Sequence, residues 1–277
     1  MESRPPEPCN RLSLGLRGSW LRARGRRASP RRAPPYTRAA VATAAILTIG
    51  DELLAGDVAN TNGAWLAQRL EAAGVLVRLI AVLPDDVDEV ARFVGLHAAR
   101  VDVVLVTGGL GGTPDDVTRE AIAAAFGVPQ VEYPEVAARL RERFSRDPDY
   151  VAPWARLPAG SRPLDNPLGG APGFVRGNVY VLPGLPAEME AMYETIAGEL
   201  AGGPPIRSWR RTYATTESRI VSVLRELERR HPLVHVGSYP SFRPEGSEVE
   251  VVLKSSDAAA FAAACAWAET ALDLATR

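Results

Sequence analysis

The sequence predicts an α/β protein built on a mostly parallel sheet, followed by a small α+β subdomain. Three observations carry that expectation. From Ala44 to Phe126, short apolar runs alternate with segments of helical period, the β-α-β-α-β-α order of a parallel sheet. The third apolar run ends in a glycine-rich turn that leads directly into a helical pattern. After Gly202-Gly-Pro-Pro205, which reads as a hinge, the order changes to β-α-β-β-α.

The elements follow in order. Residues 1–42 are rich in Arg, Pro and Ser and have no sustained hydrophobic period, so they are expected to be a disordered or mis-assigned N-terminal extension. Ala44-Ala-Ile-Leu-Thr-Ile49 is a first strand, and Gly50 to Gly56 is expected as a loop. Asn60-Thr-Asn62 caps a helix from Gly63 to Ala73, whose Trp65, Leu66 and Leu70 fall at helical spacing. Val75–Leu83 is a second strand, Pro84-Asp85-Asp86 starts a helix reaching Arg100, and residues 101–106 form a third strand. A helix from Arg119 to Phe126 follows the glycine turn. Residues 145–173, crowded with Pro and Gly, are expected to be a long binding loop or lid. Asn178–Leu182 is another strand, and Pro183-Gly184-Leu185-Pro186 turns into a helix from Ala187 to Ala197. Beyond the hinge come a strand (207–214), a helix (217–230), two strands (233–237 and 248–253) and a helix (258–274). The domain division expected from these patterns is 1–42, 43–203 and 204–277.

Composition narrows the function. The net charge of −1 hides ten arginines against Glu2 and Glu7 in residues 1–40, about +8, which leaves the body near −9. An acidic body without a broad basic face argues against a nucleic-acid partner. No apolar run is expected to cross a membrane, and a cytoplasmic location is the default. Two cysteines and three scattered histidines supply neither a disulfide framework nor a zinc site. Lys254 is the only lysine, a bias that fits a GC-rich genome.

The segment Thr107-Gly-Gly-Leu-Gly-Gly-Thr113-Pro-Asp115-Asp116-Val-Thr118 carries the most chemistry. A glycine turn between strand and helix exposes backbone N–H groups at the positive end of a helix dipole, which suits phosphate. Asp115 and Asp116 at the same place would repel such a ligand unless a divalent cation lay between them. The plain reading is also open, since glycine turns often join strands to helices and Asp often caps them. No Gly-Lys-Ser/Thr follows, so this is not a Walker loop, and it lacks the context of a dinucleotide fingerprint. Asp51 and Glu52 follow the first strand, and ligands in parallel sheets collect at the carboxyl ends of strands. They can thus face the glycine turn across one crevice, or simply form a solvated turn.

Five ordered segments together resemble a known family. They are Ile49-Gly-Asp-Glu-Leu-Leu-Ala-Gly56, Asn60-Thr-Asn62, Thr107–Thr118, Asn166-Pro-Leu-Gly-Gly-Ala-Pro-Gly173 and Leu182-Pro-Gly-Leu-Pro-Ala-Glu-Met189. They are similar to the N-terminal domain of CinA-type competence/damage-inducible proteins, within the MoaB/Mog molybdopterin-binding superfamily. The family's usual Gly-Leu-Gly-Pro-Thr is here Gly109-Leu-Gly-Gly112-Thr, and residues 145–160 follow the pattern poorly. The resemblance does not extend to the family's C-terminal amidase-type domain. It implies a three-layer α/β/α sandwich and a homo-oligomer. It also implies phosphoanhydride chemistry on a phosphorylated small molecule, either a dinucleotide such as ADP-ribose or FAD, or a pterin.

The site implied is as follows. Backbone N–H groups from Gly108, Gly109, Gly111, Gly112 and Thr113 hold phosphate, with Thr118, Asn60 and Asn62 nearby. Asp115, Asp116 and Glu52 are the catalytic candidates, and Asp51, Asp115 and Asp116 hold Mg²⁺ or another divalent cation. Loops at Asn166, Gly173 and Gly184 cover the ligand. A Mg²⁺-dependent pyrophosphatase is the first expectation, molybdopterin handling in cofactor synthesis the second, and a non-catalytic nucleotide- or pterin-binding module the third.

Overall fold

The computed structural model describes residues 42–146, 148–244 and 246–276. The expected N-terminal extension therefore falls outside the described residues, apart from Ala42. The chain opens with β1 (Thr43–Ile49), α1 (Asp51–Ala55), α2 (Thr61–Ala72), β2 (Leu76–Leu83), α3 (Val87–Ala98), β3 (Val103–Thr107) and α4 (Thr118–Phe126). It continues through β4 (Gln130–Glu132), α5 (Pro134–Arg143), α6 (Pro148–Val151), β5 (Arg156–Pro158), β6 (Arg162–Leu164), β7 (Gly173–Arg176), β8 (Val179–Leu182) and α7 (Pro186–Ile196). The main sheet has six strands in the order β2-β1-β3-β8-β7-β6. β2, β1, β3 and β8 run parallel, and β7 and β6 add antiparallel to that edge.

The sheet is buried on both faces, which is why its strands read as unbroken apolar runs. Leu47, Val104 and Val106 point to one layer, where Val90, Val94, Ile122 and Leu140 cover them. Ala44, Ile46 and Leu105 point to the other, under Leu66, Leu70, Met189, Met192 and Ile196. The expected three-layer sandwich is thus the observed one.

Three expectations need correction. Gly50–Gly56 is not a loop: Asp51–Ala55 make one helical turn, closed by Gly56 in the left-handed region at φ 80°. Asp51 and Glu52 in the first turn favour this, because carboxylates suit the positive end of a helix. Residues 145–173 are not one long loop either. They hold α6, a 3₁₀ turn at Ala152–Ala155, β5 and β6, pinned by buried Val151, Trp154 and Leu157. The loop that remains is residues 165–172.

The third correction lies in the C-terminal part, which holds β9 (Arg207–Tyr213), α8 (Glu217–Arg230), β10 (His235–Arg243), β11 (Gly246–Ser255) and α9 (Ala258–Ala275). Its antiparallel sheet, β10-β11-β9, carries both helices on one face, as the expected α+β subdomain requires. With 18 residues and a mean hydropathy of 1.2, α9 is long and apolar enough to cross a membrane by length and composition, against the expectation that no apolar run is. An alanine-rich helix meets that measure without large apolar side chains. Here Ala264, Ala268 and Leu272 bury one face of it against the sheet.

Candidate functional site

The site lies where β1, β2, β3 and β8 end. The loops after β2, β3 and β8 and the short helix α1 after β1 together line a crevice of about 530 Å³. Its walls include Glu52 after β1, Asp85 after β2, the glycine turn after β3 and Pro183 to Pro186 after β8, with Tyr150, Trp154 and Glu188 completing them. A smaller hollow of about 90 Å³, containing Asn60, Asn62 and Thr107, adjoins it through Glu52, Gly108 and Gly184.

The glycine turn is shaped from beneath. Gly108 adopts φ 107° and Gly109 φ 63°, conformations that glycine tolerates and side chains resist. A Cβ on Gly108 would overlap the Ile49 carbonyl oxygen, and one on Gly109 the Thr118 hydroxyl. Thr118 is buried and its hydroxyl donates to the Gly108 carbonyl at 2.8 Å. Arg119, 5% exposed, donates to the carbonyls of Leu110 (2.8 Å) and Gly111 (2.6 Å). Burial pushes the Arg119 pKa down to about 10, with the Asp116 charge opposing, so the guanidinium stays protonated at neutral pH.

Asp116 is the keystone of the turn. Its carboxylate accepts from the Gly111 N–H (2.7 Å), the Thr113 N–H (2.8 Å) and the Thr113 hydroxyl (2.6 Å). Those donors, expected to meet phosphate, are thus occupied by the chain's own carboxylate. Val117, not either aspartate, is the residue that precedes α4. Asp115 is fully exposed at the crevice, and the Thr113 side chain holds its carboxyl below the usual range.

The other expected residues divide in two. Glu52 lies in the crevice wall with Asp115 and Asp116, as the strand-end argument anticipates. Asp51 is not among the lining residues; its backbone N–H donates to Asp85 at 2.9 Å, and its carboxylate accepts the Asp85 N–H at 3.3 Å. Asn60 caps α2 through the Gly63 N–H and donates to Thr48, so its side chain is spent on the fold. Asn62 donates to the Gly184 carbonyl (2.8 Å) and to Thr107 (3.2 Å), while its buried Oδ1 has no partner among the described residues. Asn166 ties its own loop, donating to Ala171 and to the Glu188 carboxylate and accepting from the Leu168 N–H. Gly173 lies in β7 rather than over a ligand: a Cβ there would overlap the Val181 carbonyl oxygen. Gly184 lines both hollows, and Gly112 packs beneath Tyr150.

Sequence reasoning missed Asp85, Glu188, Tyr150 and Trp154. Asp85 was within reach, since it follows a parallel strand as Glu52 does. Burial raises its pKa, the nearby Asp51, Glu52 and Asp115 charges add to this, and the hydrogen bond from Asp51 opposes it. Among the described residues, the crevice wall holds Glu52, Asp85, Asp115, Asp116 and Glu188 but no Arg, Lys or His. No three His, Cys, Asp or Glu side chains among the described residues converge to hold a metal unaided.

The comparisons agree with this architecture. A family model described as "Probable molybdopterin binding domain" matches residues 45–202, and one described as "FAD synthase, middle domain" matches residues 211–276. A protein of Pyrobaculum calidifontis is 37% identical over 248 residues, covering 85% of this chain and 93% of its own. A CinA-like protein of Frankia casuarinae is 43% identical over 163 residues, covering 54% of this chain; the match spans only 38% of that relative's length. The crystal structure of the protein CinA with unknown function from Thermoplasma acidophilum is 34% identical, with a TM-score of 0.54, covering 57% of this chain and 98% of that one. The chain therefore belongs to the molybdopterin-binding domain family, with the CinA-like proteins among its relatives, and its C-terminal part is similar to the FAD synthase middle domain.

Proposed function

We propose that the crevice binds the diphosphate of an ADP-containing dinucleotide, of the ADP-ribose or FAD type, and hydrolyses it with a divalent cation. One observation carries this reading. Ligands of parallel sheets collect at the carboxyl ends of the strands, and the glycine-walled hollow there is lined by carboxylates with no basic side chain among the described residues. Anion and carboxylates are reconciled by Mg²⁺, which binds through one or two carboxylates and completes its shell with phosphate oxygens and water. The FAD synthase middle-domain match and the molybdopterin-binding family both favour a ligand that joins a heteroaromatic ring to phosphate.

Asp115, exposed and ionised, is the first cation ligand, and Glu52 or Asp85 the second. The cation supplies charge neutralisation at the anhydride. Asp116 and Arg119 hold the glycine turn in place, and the Asn166–Glu188 contact fixes the loop above it. Water attacks one phosphorus, an oxygen–phosphorus bond forms, the anhydride bond breaks, and the water proton passes to a carboxylate. AMP and the second phosphate ester leave.

Incubation with ADP-ribose, FAD or NAD and Mg²⁺ is expected to release AMP, and EDTA to abolish that release. Unchanged substrates would overturn hydrolysis. Tight pterin binding without turnover would favour the second reading, molybdopterin handling, which the family match supports. Binding of nucleotide or pterin without turnover or metal dependence would leave a regulatory module.

A further inference from the structure

Besides its carboxylates, the crevice is walled by two aromatic side chains, Tyr150 and Trp154. Tyr150 and Trp154 stand there with ring centroids 5.6 Å apart at 66°. Trp154 is 6% exposed and packs on Phe144, with ring centroids at 5.4 Å, so it is fixed from behind. Its indole Nε1–H is buried and has no hydrogen-bond partner among the described residues. Buried indole N–H groups usually find an acceptor, so an orphan in the wall of a ligand-sized crevice marks an unmet donor. Tyr150 is 51% exposed, a large apolar ring left half in solvent beside that donor.

Tyr150 is also seated on the phosphate turn itself. A Cβ on Gly112 would come within 2.9 Å of both the Tyr150 ring and the Tyr150 carbonyl oxygen. The bare glycine therefore lets α6 close on the turn and brings the ring to the crevice.

We infer that Tyr150, held against Trp154 and over Gly112, is the stacking platform for the flat nitrogen heterocycle of the ligand. Tyr150 selects for the ring, and the carboxylates, through the cation, select for phosphate. This rests on the crevice being the phosphate site proposed above.

The test compares AMP and FMN, which carry a ring, with ribose 5-phosphate, which does not, each titrated calorimetrically with Mg²⁺ against the full chain. Base–aromatic stacking is strong enough that Tyr150→Ala is expected to weaken AMP or FMN binding about tenfold. Ribose 5-phosphate affinity should change less than about threefold, and Tyr150→Phe should bind as the wild type does. Gly112→Ala, which leaves Tyr150 in place chemically but displaces it, should reproduce the loss. FMN fluorescence should be quenched on binding to the wild type and recover in Tyr150→Ala. A Tyr150→Ala variant that melts as the wild type does but binds AMP and FMN unchanged would overturn the platform alone. Equal loss of ringed and ringless ligands would reduce Tyr150 to a structural role. A wild type that binds none of the three would overturn the phosphate site and the platform together.

Discussion

Two adjacent aspartates of one turn have separable roles. Asp116 saturates the Gly111 and Thr113 donors, so Asp116→Ala leaves the half-buried Gly111 N–H without its acceptor and frees the exposed Thr113 N–H, beside the Arg119 guanidinium. Breaking such a set costs about 2 kcal/mol, which corresponds to a fall in Tm of roughly 4–8 °C for a domain of this size. Asp115 is fully exposed and supports nothing in the fold beyond its own turn. Asp115→Ala is therefore expected to melt with the wild type in differential scanning fluorimetry while losing Mg²⁺-dependent AMP release. A lower Tm for Asp115→Ala, or wild-type release from it, would count against the division. Arg119→Ala should be worse than either for stability, by about 2–4 kcal/mol, because it strands the carbonyls of Leu110 and Gly111 and leaves Asp116 without its cation.

At the scale of elements, the sheet is braced at the end opposite the crevice. Asp102, just before β3, accepts from the Thr43 N–H (2.7 Å) and hydroxyl (2.8 Å) at the start of β1. Those bonds hold its carboxyl below the usual 3.8, so the brace is fully present above that value and is lost as pH falls through the depressed one. Asp102→Asn, at an exposed and solvent-screened site, should lower stability by at most about 0.5 kcal/mol at pH 7, and the gap to wild type should close in acid, while AMP release at neutral pH stays unchanged. A gap independent of pH would show that the charge plays no part. The elements most legible in the sequence are those whose period outlasts their context: α8 is found from Glu217 to Arg230 as expected, β8 starts one residue later, and α7 is shifted by one residue at each end. The stretch from Gln130 to Leu164 was not legible, because its strands are three residues long and its turns are fixed by Trp154 and Leu157 entering the core. The site divides along the same line. Glu52 and the glycine turn stand beside strong strands, whereas Tyr150 and Trp154 come from that short-range stretch. Asp116 was found by position, but its role depends on where its oxygens point, which no spacing reveals.

At the scale of the whole chain, the sole lysine has a specific place. Lys254 on β11 reaches Glu71 at the end of α2 with Nζ–O distances of 2.8 and 2.7 Å, and the two side chains are only 21% and 30% exposed. Around this pair the hinge is stitched to the same helix end: the Gly202 N–H donates to Ala73, and the Ile206 N–H donates to Glu71. The C-terminal sheet is thus coupled to the main domain through a partly desolvated ion pair, in a chain that otherwise uses arginine. Removing one partner strands the other charge, which is costly, whereas removing both is close to neutral. Lys254→Met is therefore expected to destabilise by about 1–2 kcal/mol and to split a single calorimetric transition, with the C-terminal part melting first. Adding Glu71→Gln to Lys254→Met should restore most of the loss, and the coupling energy from the double-mutant cycle should exceed about 0.5 kcal/mol. Additive single losses, or one unsplit transition in Lys254→Met, would show that the hinge bonds alone unite the two parts.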